Sequence, residues 1–196
     1  MGRAAEIERV TNETDIVCRL NLDGTGSAAI DTGVGFLNHM LTLLAGHGSL
    51  DLEIKARGDL AVDAHHTVED TGIVLGEALR KALGDRKGIC RYATRFVPMD
   101  ETLAMVSLDL CTRAYLHFDP GPGGPLTGVL GSMEAETAPE FFRAFAMNGS
   151  MTLHANILYG DNTHHKLEAL FKALGQALGE AARIEGSRVF STKGVL

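Results

Sequence analysis

His65-His66-Thr67-Val68-Glu69 returns ninety-nine positions later as His164-His165-Lys166-Leu167-Glu168. Over the fifteen positions that begin at His65 and His164, both histidines, the glutamate, Leu75/Leu174, Gly76/Gly175, Ala78/Ala177 and Leu79/Leu178 are identical. A match of this length marks an internal repeat. Upstream, Glu13-Thr14 resembles Glu101-Thr102 at an offset of 88, so the second copy must hold extra residues in between. The run Asp119-Pro120-Gly121-Pro122-Gly123-Gly124-Pro125 is where a loop insertion is expected.

The same elements are legible in both copies. Ile16, Cys18, Leu20 and Leu22 alternate with polar or exposed-type residues, as do Leu50, Leu52, Ile54 and Ala56, the pattern of half-buried strands. In the second copy Leu153, Ala155 and Ile157 point one way and Thr152, His154 and Asn156 the other. Helical spacing covers 34–45 and 64–83 in the first copy, 138–146 and 163–184 in the second. Val68, Gly72, Leu75, Leu79 and Leu83 form the apolar stripe of the longer first-copy helix. Together these predict an α+β fold of two pseudo-symmetric half-domains, each a small, mostly antiparallel sheet with two helices on one face. The repeats span about 6–85 and 91–184 of one catalytic domain, joined at 84–88 and followed by a C-terminal tail, 185–196.

Bulk properties exclude several function classes. The chain has 196 residues, 45% apolar and 22% charged, the balance of a globular protein. Its net charge of −7 argues against nonspecific attraction to nucleic acid or anionic membrane. With no Trp and 6% aromatic residues, base-stacking platforms are not expected. No run of about 20 apolar residues offers a membrane span. The first twelve positions hold charges and no long apolar run, so no secretory signal is read there. Three widely spaced cysteines, Cys18, Cys90 and Cys111, predict reduced thiols and a cytoplasmic setting.

Residues four apart on a helix share a face, about 6 Å apart. His65 and Glu69 therefore converge, as do His164 and Glu168, while His66 and His165 point about 100° round the helix and can serve a different centre. An imidazole with a carboxylate suits Mn, Fe or Zn. One such motif is better explained by a solvated helix start; two at equivalent places in a duplicated chain are not. His39 and His154 extend the set to six histidines and two glutamates, four protein ligands for each of two metals. His47, expected in a turn after Gly46, and His117, in a weak strand, are set aside.

Beyond these patterns lie longer motifs: Gly35-Phe36-Leu37-Asn38-His39-Met40, Gly58-Asp59-Leu60-Ala61-Val62-Asp63-Ala64-His65-His66-Thr67-Val68-Glu69-Asp70, Pro98-Met99-Asp100-Glu101, Gly160-Asp161-Asn162-Thr163-His164-His165-Lys166-Leu167-Glu168 and the ending Ser191-Thr192-Lys193-Gly194-Val195-Leu196. In this order, from about residue 6 onward, the chain resembles the imidazoleglycerol-phosphate dehydratases of histidine biosynthesis. The resemblance implies a duplicated half-domain related to the second domain of ribosomal protein S5. It implies a homo-oligomer of twenty-four chains with active sites at subunit interfaces and two Mn ions per site. It implies Glu13 as general base, with Glu168 as runner-up, and Arg91, Arg113, Lys172, Ser191 and Lys193 as the phosphate contacts. Where the family usually has Asp-Leu-Ser-Gly-Arg-Pro, this chain reads Asp109-Leu110-Cys111-Thr112-Arg113-Ala114.

The implied reaction removes the hydroxyl beside an imidazole ring and a hydrogen from the next carbon, leaving an enol that becomes a ketone. No carbonyl flanks that C–H bond. A ring held through both nitrogens by two cations becomes an imidazolate that can expel hydroxide, giving a diazafulvene-like species with a far more acidic neighbouring C–H. Two alternatives use the same ligands: a binuclear hydrolase with a bridging hydroxide, and a non-enzymatic metal-storage or scaffold shell. The first usually carries more Asp ligands. The second leaves the terminal Ser-x-Lys and the two arginines without a task.

Overall fold

The structure, a computed structural model, describes residues 2–188. The first half runs β1 (Ala4–Val10), β2 (Thr14–Asn21), β3 (Ala28–Asp31), α1 (Gly35–Gly48), β4 (Asp51–Gly58) and α2 (His65–Leu83). The second runs β5 (Tyr92–Met99), β6 (Thr102–Asp109), β7 (Tyr115–Asp119), a small hairpin β8 (Val129–Leu130) and β9 (Met133–Glu134), a 3-10 turn (Ala135–Thr137), α3 (Ala138–Asn148), β10 (Thr152–Tyr159) and α4 (Thr163–Ala182).

The duplication extends to the hydrogen-bond ladder. One sheet has the order β1-β2-β4-β3, the other β5-β6-β10-β7, and in each only the last pair is parallel. Ile7 opposite Cys18 and Cys18 opposite Ile54 are matched by Arg95 opposite Val106 and Val106 opposite Ala155. Inward residues of the central strands, Ile16, Cys18 and Leu20 in β2 and Ala104, Val106 and Leu108 in β6, are buried, as their alternation requires. The insertion lies where the Pro/Gly run predicted it. Residues 32–34 connect β3 to α1, whereas 120–137, with the β8–β9 hairpin, connect β7 to α3.

Each helix pair covers its own sheet, and the pairs meet, α1 on α4 and α2 on α3, in the middle of the sandwich. Phe141, Phe142, Phe145 and Phe171 fill that middle with ring centroids 5.2 to 6.0 Å apart. The repeated glycine has its reason here. A Cβ on Gly76 would stand 2.8 Å from the Phe145 carbonyl oxygen, and one on Gly175 2.4 Å from that of Leu44. Only a bare backbone lets these helices approach so closely.

Two boundaries differ from expectation. Helix α1 continues to Gly48 before Ser49 ends it in the left-handed region at φ 53°, so His47 lies in its last turn. Helix α4 stops at Ala182 because Arg183 turns extended, and Ile184 then bridges to Ile89. The 84–88 junction is anchored by buried Arg86, whose guanidinium donates to the carbonyls of Gly149 (3.0 Å), Ser150 (2.8 Å) and Cys111. All three cysteines are free thiols, and burial pushes that of Cys18 up to about 12. No described helix is long and apolar enough to cross a membrane.

Gly175→Ala should destabilise the fold by about 1–3 kcal/mol, the usual range for overpacking. Gly46→Ala, where an added Cβ meets nothing within 4 Å, should be stabilising by up to about 1 kcal/mol. Denaturant midpoints of the two variants measure this, and equal midpoints would contradict the close helix crossing.

Candidate metal centre

Helix α4 begins with Asn162, whose side chain accepts from the N–H groups of His164 (2.9 Å) and His165 (3.3 Å). That cap sets the first turn, so His164 and Glu168, one turn apart, face the same way. Nε2 of His164 lies 2.9 Å from Glu168 Oε2, and Nε2 of His39, from α1, lies 3.3 Å from the same oxygen. The edge of Phe36 packs on the His164 ring at 5.1 Å between centroids. Lys172, one turn further along α4, donates to Glu168 Oε1 at 2.6 Å.

Glu168 is 7% exposed. Burial raises its pKa, but hydrogen bonds from Lys172 and His164, the Lys172 charge and His39 outweigh that and hold it at about 2. Among the described residues, His39, His164 and Glu168 are the one group of metal-capable side chains whose ligand atoms lie within 4.8 Å of one another. Two imidazoles and a carboxylate fit a divalent first-row cation and leave coordination positions open.

The first-half motif lies outside that group. His65 Nε2 is 3.8 Å from Glu69 Oε2, the intrahelical pair expected from spacing. The second histidines are oriented by acids. His66 Nδ1 is 3.0 Å from Asp59 Oδ2, and its Nε2 is 3.9 Å from Glu13 Oε1. His165 Nδ1 is 2.8 Å from Glu101 Oε2, and its Nε2 is 3.8 Å from Asp100 Oδ2. The hydrogen bond to Asp59 raises the pKa of His66, and that to Glu101 raises the pKa of His165. Glu101 itself is held well below the carboxylate range by the Asn162 N–H and by His165. Sequence reasoning missed Asp59, Glu101 and Asn162 as site residues; the Glu13-Thr14/Glu101-Thr102 match was the available signal.

His154, expected as a ligand, is paired across the β7–β10 ladder with His117, their rings 5.4 Å apart. Among the described residues it joins none of the other candidates. Arg91, at φ 79°, grips Asp109 through Nε (2.7 Å) and one Nη (3.1 Å), with its guanidinium over the Tyr92 ring at 4.5 Å. Arg113 reaches the same Asp109 at 3.6 Å but is 76% exposed. The departure at Cys111-Thr112 keeps that turn closed: Cys111 Sγ accepts the Arg113 N–H at 3.4 Å, and Thr152 donates to the Arg113 carbonyl at 3.0 Å. Lys172, expected at the phosphate, stands beside the metal-capable cluster on Glu168, apart from the two arginines within one copy of the chain. Ser191 and Lys193 lie outside the described residues.

Comparison with known proteins adds a family to this geometry. The family model for imidazoleglycerol-phosphate dehydratase matches residues 32–178. Imidazoleglycerol-phosphate dehydratase of Acetivibrio thermocellus is 56% identical over 200 residues, covering 100% of both chains. That of Streptococcus sanguinis is 58% identical, covering 99% of this chain and 100% of the relative. Among solved structures, the Staphylococcus aureus dehydratase superposes with TM-score 0.80 at 41% identity, over 91% of this chain and 97% of the other. The Pyrococcus furiosus structure, in complex with (S)-C348, superposes with TM-score 0.83 at 37% identity, over 97% and 100%.

Glu168 gives the centre a pH signature. Its carboxyl is held below the ordinary 4.5, so its contribution to stability is present above 4.5 and lost as pH falls through 4.5 towards 2. In metal-free protein, Glu168→Gln should be less stable than wild type at neutral pH, with the gap closing as pH drops below 4.5. Thermal unfolding across that range measures it; a constant gap would show that the pairing with Lys172 and His164 contributes nothing.

Proposed function

Since the chain belongs to the imidazoleglycerol-phosphate dehydratase family, and is therefore a hydro-lyase, we propose that it dehydrates D-erythro-imidazoleglycerol phosphate to imidazoleacetol phosphate with two Mn ions per site. The observation that carries the metal reading is the convergence of His39, His164 and Glu168 on one point. These three would hold one ion, with His66 as a fourth ligand; His65 and Glu69, which face each other at 3.8 Å, would hold the other with His154 and His165. Bound there, the cations would favour loss of the ring proton of the substrate's imidazole, leaving the ring with the electron density to expel the neighbouring hydroxyl.

The chain's own residues supply the rest. Glu13 has an exposed carboxylate and lies 3.9 Å from His66 Nε2. It can take the proton from the carbon next to the departing hydroxyl. Among the described residues Glu13 makes no ion pair with a Lys or Arg, which leaves its carboxylate available as a base. Glu168, pinned by Lys172 and two imidazoles, suits a ligand better than a base. Exposed Arg113 offers two parallel donors to the phosphate, next to Arg91 through their common Asp109. Lys172 and the terminal Ser191 and Lys193 add charge and a hydroxyl.

One copy of the chain gathers three donors around one centre and leaves His65, His66, Glu69 and His154 apart from it. A second copy presenting its α2 motif to the first copy's α4 motif would complete both centres. The site then exists only in a homo-oligomer, for which the family resemblance implies twenty-four chains; the free thiols fit a cytoplasmic setting.

Mn-loaded protein given imidazoleglycerol phosphate should yield the enolisable ketone; no turnover would sink the proposal. His65→Ala and His164→Ala should each abolish activity and lower metal content. Lys193→Ala should raise KM by roughly tenfold, about 1.4 kcal/mol of phosphate binding, with metal content intact by elemental analysis. Metal loss in that variant would contradict the division between phosphate and metal residues.

A further inference from the structure

The two halves use equivalent acids differently. Glu13 and Glu101 each stand one residue before the threonine that opens β2 or β6. Thr14 pairs with Gly58, and Gly160 stands against Thr102, where an added Cβ would lie 2.1 Å from the threonine Oγ1. Asp59 and Asp161 follow these glycines. From there the halves diverge: seven positions separate Gly58 from His65, but four separate Gly160 from His164.

In the shorter connection the chain enters α4 almost at once. Glu101 Oε1 accepts the N–H groups of Asp161 (3.2 Å) and Asn162 (2.9 Å), and Oε2 faces His165 Nδ1 at 2.8 Å. Both oxygens of Glu101 are occupied. In the longer connection the Asp59 N–H donates to the Glu13 backbone carbonyl at 3.1 Å, which holds Asp59 beside the helix start. Its Oδ2 faces His66 Nδ1 at 3.0 Å, while Asp63 accepts the His65 N–H at 2.8 Å. The imidazole contact that Glu101 makes in the second half is thus made by Asp59 in the first, and Asp63 accepts the His65 N–H as Asn162 accepts that of His164. The Glu13 carboxylate accepts no hydrogen bond among the described residues.

We propose that Asp59 and Glu101 are equivalent positioning residues, each holding Nδ1 of the second histidine of its motif so that Nε2 is presented as the ligand, and that the three extra residues of the first connection let Asp59 take this task and leave Glu13 free for proton transfer. The proposal rests on the metal-dependent reading above. A carboxylate on Nδ1 fixes the proton there and the lone pair on Nε2, and it stops the ring from turning. Without Asp59, the nearest acid to His66 is Glu13, which would be drawn into an orienting role.

The test is calorimetric titration of Mn2+ into full-length assembled protein, with unfolding temperature recorded in parallel. Asp59→Ala and Glu101→Ala should weaken Mn2+ binding by about 10- to 100-fold, the usual effect of losing an outer-shell partner. Asp59→Asn and Glu101→Gln keep an oxygen to accept the Nδ1–H and should recover most of that loss. Glu13→Ala, at the position equivalent to Glu101, should bind Mn2+ as wild type does while losing turnover. Unchanged affinity in Asp59→Ala, no recovery in Asp59→Asn, or a loss in Glu13→Ala as large as in Glu101→Ala would each overturn the proposal. Should Glu101→Ala fail to fold, because two backbone N–H groups lose their acceptor, the Asp59 pair decides alone. Wild-type protein that binds Mn2+ without dehydrating the substrate would defeat the functional reading and leave the positioning roles as stated.

Discussion

The backbone contact between α4 and α1 sets the geometry on which the rest of the site depends. Gly175 lies against the Leu44 carbonyl and Gly179 against that of Gly48, so the two helices cross without intervening side chains. His39 is five residues from Leu44 on α1, and Glu168 is seven from Gly175 on α4. A side chain at the crossing would lift one helix from the other and part His39 from Glu168. The metal-capable cluster is therefore a product of core packing, made between halves and not within one motif.

Duplication supplied two such crossings, and only one carries a three-donor cluster. Ser49 and Ser150 both end their helices in the left-handed region, at φ 53° and 51°, and so align α1 with α3. Ten residues before them stand His39 and Glu140. Glu140 is paired with Arg143 at 2.6 Å, so the position on α3 that corresponds to His39 carries a neutralised carboxylate in place of an imidazole. The same drift separates Glu13 from Glu101. Pseudo-symmetry kept the scaffold and let the side chains at individual positions diverge.

Much of this was legible in the sequence because periodicity and repetition report on burial. The alternation of β2 and β4, the stripe of α2, the site of the insertion and the convergence of His164 on Glu168 all follow from local spacing, and the structure has each of them. What spacing cannot carry is distance between elements. His39 joins Glu168 across 129 positions, and Asp109 links Arg91 to Arg113 through a turn whose family glycine is replaced here. The acids on His66 and His165 were hidden for a related reason. They occupy different places in the two halves, so the repeat that exposed the histidines gave no aligned pair of carboxylates. The extension of α1 through His47 was missed because Gly46 reads as a breaker, yet the helix tolerates it where packing holds both sides.

Charge pairing decides which cations can meet an anionic substrate in an acidic protein. Arg91 is buried and doubly bonded to Asp109, so moving it would leave a half-buried carboxylate with a poorer partner. Arg113 touches the same carboxylate at 3.6 Å from an exposed position, an interaction of the kind typically worth under about 1 kcal/mol. It can leave Asp109 for a phosphate at little expense, and Arg91 keeps Asp109 neutralised when it does. Lys172 is in an intermediate position, since its partner Glu168 is buried and gathers two imidazoles besides. A cation on Glu168 would repel the Lys172 ammonium, and an incoming phosphate would attract it. On the metal-dependent reading proposed above, a metal and a phosphate would therefore act on the Lys172 side chain in the same direction.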